Sequence, residues 1–166
     1  EYQDMLHLQL PGAGVYFVAY YPRPRHEPAP SFTTLGDGKI IKVAGDWGAD
    51  YGFLSASAAT VVAEGTRFEG TAGSVQLRKN ELVLSLAAPG TVAFEPWILE
   101  AAAPCSLRVL NHALVLELDR SGGPIMLTGP HEWRPRQLPP GIELEKVDGS
   151  YRLTVPAGLA QVRLER

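Results

Sequence analysis

One cysteine, Cys105, stands in a chain of 166 residues, so no intrachain disulfide can form. No apolar run approaches the roughly 20 residues needed to span a bilayer. Basic charge is sparse and scattered. The net charge is -3, and the densest basic group is Arg134 with Arg136, two arginines that make no phosphate track. These shortages argue against nucleic acid and a membrane as partners. Motifs of common chemistry are missing as well. The chain has no GxSxG, no P-loop and no GxGxxG opening a helix. His7, His26 and His112 are scattered and lack metal-ligand spacing. No metal or other cofactor is therefore expected. Cys105 lies between Pro104 and Ser106 with no histidine nearby in sequence. It reads as a small buried residue and not as a nucleophile.

What the chain has is strand grammar. Hydrophobic residues make up 45% and charged residues 20%, ordinary values for a globular fold. Its length fits one domain over residues 1–166 and suffices to bury roughly 70% of the unfolded surface without staples. Leu6, Leu8 and Leu10 alternate with polar residues, as in a half-buried strand. Residues 14–21, GVYFVAYY, are apolar on both faces and predict a central strand. Residues 22–30 hold four prolines and predict an extended loop. Residues 31–35 and 39–44 flank Asp37-Gly38, a hairpin signal because the turn needs positive φ.

The same pattern continues to the end. Tyr51 to Leu54 and Thr60 to Ala63 read as two strands, with turns expected at Glu64-Gly65 and Glu69-Gly70. Gly70 to Gly73 also reads as a turn. The alanine-rich segment 55–63 could form a helical turn, but Thr60, Val61 and Val62 favour strand. Residues 74–78 and 82–86 join around Asn80. Residues 91–94 form a strand that Trp97 to Leu99 is expected to continue after Pro96. Residues 107–110 and 113–118 pair across Asn111-His112, and 125–127 form a short strand. Residues 129–141 form a second proline-rich loop. Ile142 and Leu144 open a hairpin that turns at Asp148-Gly149, and 159–164 close the chain. About a dozen short strands with frequent turns predict an all-β fold, an antiparallel β-sandwich.

Two loops hold the candidate site residues. Asp46, Trp47, Asp50 and Tyr51 cluster between two strands. An indole can stack on a sugar ring while carboxylates accept hydrogen bonds from its hydroxyls. The structural reading of the same residues is that Asp46 caps a turn and Trp47 covers the edge of the fold. His131, Glu132, Trp133 and Arg134 occupy the second loop. They could bind an acidic sugar or move a proton, or form a solvated loop pinned by Trp133. Neighbours on an extended chain point opposite ways, so His131 and Glu132 need not converge. Glycoside hydrolysis needs two facing carboxylates. Asp46, Asp50, Glu64 and Glu69 are near one another in sequence, but nothing in the sequence sets any two face to face.

Three stretches carry a resemblance: IIKVAGDWGADYGFLS, FEGTAGSVQLRKNELVLSL and the closing YRLTVPAGLAQVRLER. From Lys39 onward the chain resembles the C-terminal all-β portion of bacterial heparinase II/III-like, polysaccharide-degrading proteins. The likeness is one of texture over about 120 residues and carries no catalytic motif. It implies a trailing accessory domain, secreted or periplasmic, whose partners are carbohydrate and an upstream domain of its own chain. The start at Glu1, where strand pattern already runs, fits a piece of a longer protein or a processed chain. The expected function is a non-catalytic accessory module that contacts glycan or supports a catalytic domain. The rivals are a lyase or hydrolase acting on acidic glycans and a structural domain that packs on its upstream region.

Overall fold

The computed structural model describes residues 26–129 and 138–165. The expected strands at 6–10 and 14–21 lie outside these residues, as do His131, Glu132, Trp133 and Arg134. The described residues form strands, turns and loops, and no helix among them is long and apolar enough to cross a membrane.

Among the described residues thirteen strands build one continuous antiparallel sheet. In chain order they are β1 (Ser31–Leu35), β2 (Ile40–Gly45), β3 (Gly48–Ala63), β4 (Thr66–Arg78), β5 (Glu81–Leu86), β6 (Gly90–Phe94) and β7 (Trp97–Ala101). Then follow β8 (Cys105–Leu110), β9 (Ala113–Leu118), β10 (Gly123–Thr128), β11 (Glu143–Val147), β12 (Ser150–Val155) and β13 (Gln161–Glu165). The all-β antiparallel reading holds, and so does the strand number. The strands are not all short, however. β3 has 16 residues and β4 has 13.

These two long strands organise the architecture. The second half of β4 pairs with β5, and its first half pairs with β6. From β5 the sheet runs on through β8 and β9 to β13, and from β6 through β7, β10 and β12 to β11. The β3–β4 hairpin thus belongs to both halves. Its register breaks between Leu54 and Ala59, where residues 55–58 of β3 bulge opposite Thr71. The extra residues bend the pair and let the sheet curl, as bulges do. Glu69-Gly70 and residues 70–73, expected as turns, lie inside β4 at this bend. A glycine at φ +136 there permits a bend without ending the ladder. The alanine-rich segment is strand throughout.

Other turns follow the chemistry of their residues. Asp37, Glu64 and Asp148 adopt positive φ, each beside a glycine that does the same. Trp97 does not extend the strand before it. Glu95 and the cis Pro96 reverse the chain, so β6 and β7 pair from Phe94 opposite Trp97. A proline withholds the N–H that a continuing ladder would need.

Alternation then sorts the side chains. Tyr51, Val75, Leu84, Leu107, Leu116 and Val162 are successive cross-strand neighbours on one inward row, and all are buried. In the other half Phe68, Val92, Leu99 and Leu127 form a second buried row. Phe53 and Phe68 stack with centroids 5.2 Å apart and join the rows at the bend. Leu114 and Leu164 share a small interior gap with Leu127, Tyr151 and Leu153, so strands distant along the sheet face each other across the core. Layers that the sequence predicts as a sandwich are here one sheet curled on itself.

Candidate functional site

Asp46 and Trp47 form the two-residue tip of the β2–β3 hairpin, between the paired Gly45 and Gly48. Asp46 is exposed and Trp47 half-buried. The indole folds back over Gly45, where a Cβ would meet its Nε1 at 2.8 Å. From the end of β4, the guanidinium of Arg78 lies 4.3 Å from the ring centroid of Trp47. The same guanidinium donates to both carboxylate oxygens of Asp50, at 2.7 and 3.1 Å. Three of the expected residues therefore lie near one another, but Trp47 and Asp50 converge on an arginine of this chain. Arg78 satisfies Asp50 in the bidentate geometry that carboxylates favour and takes up one face of the indole.

Tyr51 goes elsewhere. It follows Asp50 on an extended strand, so its side chain leaves from the opposite face. It is buried, and its phenol donates to Glu64 Oε2 at 3.1 Å. Lys42, its cross-strand neighbour, donates to the same oxygen at 2.5 Å and holds its ammonium 5.5 Å from the Tyr51 ring. The hydrogen bond from Lys42 holds the Glu64 carboxyl below its ordinary pKa, and the Glu64 carboxylate raises that of Lys42. Burial, with the Glu64 contact second, pushes the Tyr51 phenol up. Lys42 shares its face of β2 with Ile40 and Ala44, which pack on the core, so an unpaired ammonium there would be costly. Glu64, at the turn after β3, gathers Lys42 and Tyr51 on one carboxylate oxygen at that end of the core.

A wide hollow lies on the outer face of the other half. It is an open groove of about 670 Å3. Its charged and polar side chains form one transverse row. Glu69 on β4 stands opposite Thr91 on β6, Thr91 opposite Glu100 on β7, Glu100 opposite Met126 on β10, and Met126 opposite Arg152 on β12. Four strand spacings give the row a length of about 19 Å. Each member alternates with a buried neighbour (Phe68, Val92, Leu99, Ile125, Leu153), which fixes its outward direction.

Small residues make the hollow. Gly70 and Gly90 line it beside Ala58 from the bulge of β3 and Ala102 after β7. A Cβ on Gly90 would fall 2.2 Å from the carbonyl oxygen of Glu69, and one on Gly70 would fall 2.9 Å from that of Pro89. Neither position has room for a side chain, so the backbone itself forms this part of the groove.

Two of the charged groups in the row have partners. Arg67 donates to Glu69 at 3.0 Å along β4, and Arg152 lies 3.5 Å from Glu145 across β11 and β12. Both pairs are exposed and weak. Glu100 is exposed and, among the described residues, has neither a hydrogen bond nor an ion pair.

Of the four carboxylates near one another in sequence, Asp50 is held by Arg78, Glu64 by Lys42 and Tyr51, and Glu69 belongs to the groove. Among the described residues no three His, Cys, Asp or Glu side chains gather as a metal would require. Glu100 and Arg152 carry no local sequence signal, because only the pairing of β7 with β10 and of β10 with β12 places them on one line. No family model matches the chain, and no significant match to a curated protein or to a solved structure was found.

Proposed function

We propose that this chain is a non-catalytic accessory β domain that holds a glycan in the outer groove. The observation that carries the reading is the row Glu69, Thr91, Glu100, Met126, Arg152 above a glycine-walled hollow. Carboxylates, a hydroxyl and a guanidinium at regular strand spacing suit the repeated hydroxyls of an extended sugar chain. Each ring of such a chain spans about one strand spacing. An open groove admits the middle of a polymer as well as its end. The heparinase II/III-like texture of the sequence supports the same class of ligand. The expected site at Asp46, Trp47, Asp50 and Tyr51 is not the centre of this reading, because the partners of Asp50 and Tyr51 already lie within the chain.

The test is a glycan-array screen of the 166-residue chain, followed by titration of each hit against Arg152→Ala. The reading expects at least one oligosaccharide to bind and Arg152→Ala to weaken it about tenfold, as loss of a hydrogen-bonding charged group does. Silence across neutral, amino and acidic glycans would overturn it.

A further inference from the structure

Charge within the groove carries a finer assignment, which rests on the glycan reading above. Along the row, Glu69 is compensated by Arg67 and Arg152 by Glu145. Glu100 sits between them and is the one charged side chain of the row without a partner. Its cross-strand neighbours Thr91 and Met126 offer no cation. The centre of the groove therefore holds one uncompensated negative charge, and the cations toward its two ends, Arg67 and Arg152, each already have an acidic partner.

We infer that the groove prefers a glycan bearing free amino groups, with a hexosamine ammonium set against the carboxylate of Glu100. An ammonium there gains a charged hydrogen bond and neutralises the centre of the groove. A uronate in the same place meets a like charge. An N-acetylated sugar presents a neutral amide and gains neither benefit nor penalty from the charge. This departs from the acidic-glycan preference that the His131–Arg134 loop suggests from sequence. Those residues lie outside the described residues. Because Glu100 is exposed, the preference is modest and salt-dependent.

The experiment is calorimetric titration of the whole chain at pH 6 and low salt with three probes. These are a glucosamine hexamer, its fully N-acetylated counterpart and a galacturonate oligomer. Glu100→Gln and a control, Glu117→Gln, are run beside the parent. Glu117 is exposed on β9, in the other half of the sheet, and is not part of the groove lining. The amino oligomer is expected to bind about threefold to fivefold more tightly than the acetylated one, and the galacturonate oligomer least. Glu100→Gln should erase that difference, and Glu117→Gln should leave it in place. Far-UV circular dichroism confirms that each variant is folded. Equal binding of amino and acetylated oligomers, or a preference that survives Glu100→Gln, overturns the charge assignment and leaves glycan binding standing. Absence of binding to all three probes and to the array overturns both.

Discussion

Tyr51 and Glu64 lie 13 positions apart on the β3–β4 hairpin, and the phenol of the first donates to the carboxylate of the second at 3.1 Å. Lys42 shares that oxygen, so β2, β3 and the turn that follows β3 meet at one acceptor. The stability this cluster contributes has limits on both sides of neutrality. The Glu64 carboxyl is held below its ordinary pKa, so its contribution is present above the normal carboxylate range. It is lost as pH falls through the lowered value. Lys42 and Tyr51 are raised, so their contributions are complete below their ordinary values and are lost as pH rises through the raised ones. Thermal melts across pH should show Glu64→Gln less stable than the parent at neutrality, with the gap closing in acid. At pH 7, Tyr51→Phe should lower Tm by about 2–4 °C, the cost of one hydrogen bond in a domain of this size. Parallel parent and Glu64→Gln curves through the acid limb would refute the coupling.

Arg78 performs two tasks that lysine cannot combine. It grips Asp50 with two nitrogens and lies over the Trp47 ring. Arg78→Lys should cost about 1 kcal/mol in urea unfolding, a modest value because the pair is about one-third exposed. It should also alter the indole emission, and that change should vanish when Trp47→Phe is the background. An unchanged urea midpoint and an unchanged spectrum would show that the stack contributes nothing in solution.

Cys105 is free and buried, and burial pushes its thiol up to about 11. A thiol of that kind is protonated at pH 8 and shielded from reagent. Aromatic disulfide reagents should therefore label the native chain roughly 100-fold more slowly than the urea-unfolded one, with a rate set by opening of the fold. Fast labelling under native conditions would place the thiol in an open part of the surface.

Much of the fold was legible because turns and alternation are local. Asp37-Gly38, Glu64-Gly65 and Asp148-Gly149 announce positive φ, and each is a hairpin turn in the structure. Gly70 carried the same signal and misled. Its positive φ serves a bend within β4, and only the Ser55–Ala58 bulge on the partner strand distinguishes the two uses. In sequence Pro96 looks like an interruption where it is a reversal, because a single proline does not say which way the chain leaves. The tip cluster was visible as composition, but its partner Arg78 lies 28 positions from Asp50 and only strand register joins them. Tyr51 could have been separated from Asp50 by alternation alone, since Ala49, Tyr51 and Phe53 are the apolar set of that strand. The groove row draws on strands from β4 to β12, and no window of sequence contains it.

The β3–β4 hairpin has a mechanical consequence. Because its two strands run through both halves of the sheet, no seam exists along which the halves could part without tearing a ladder. A force applied at the Asp46-Trp47 tip is carried along β3 toward the wall of the groove. Heat has no softer half to melt first, so the described body should unfold as one calorimetric event. Loss of the bend would dismantle the groove and the core together.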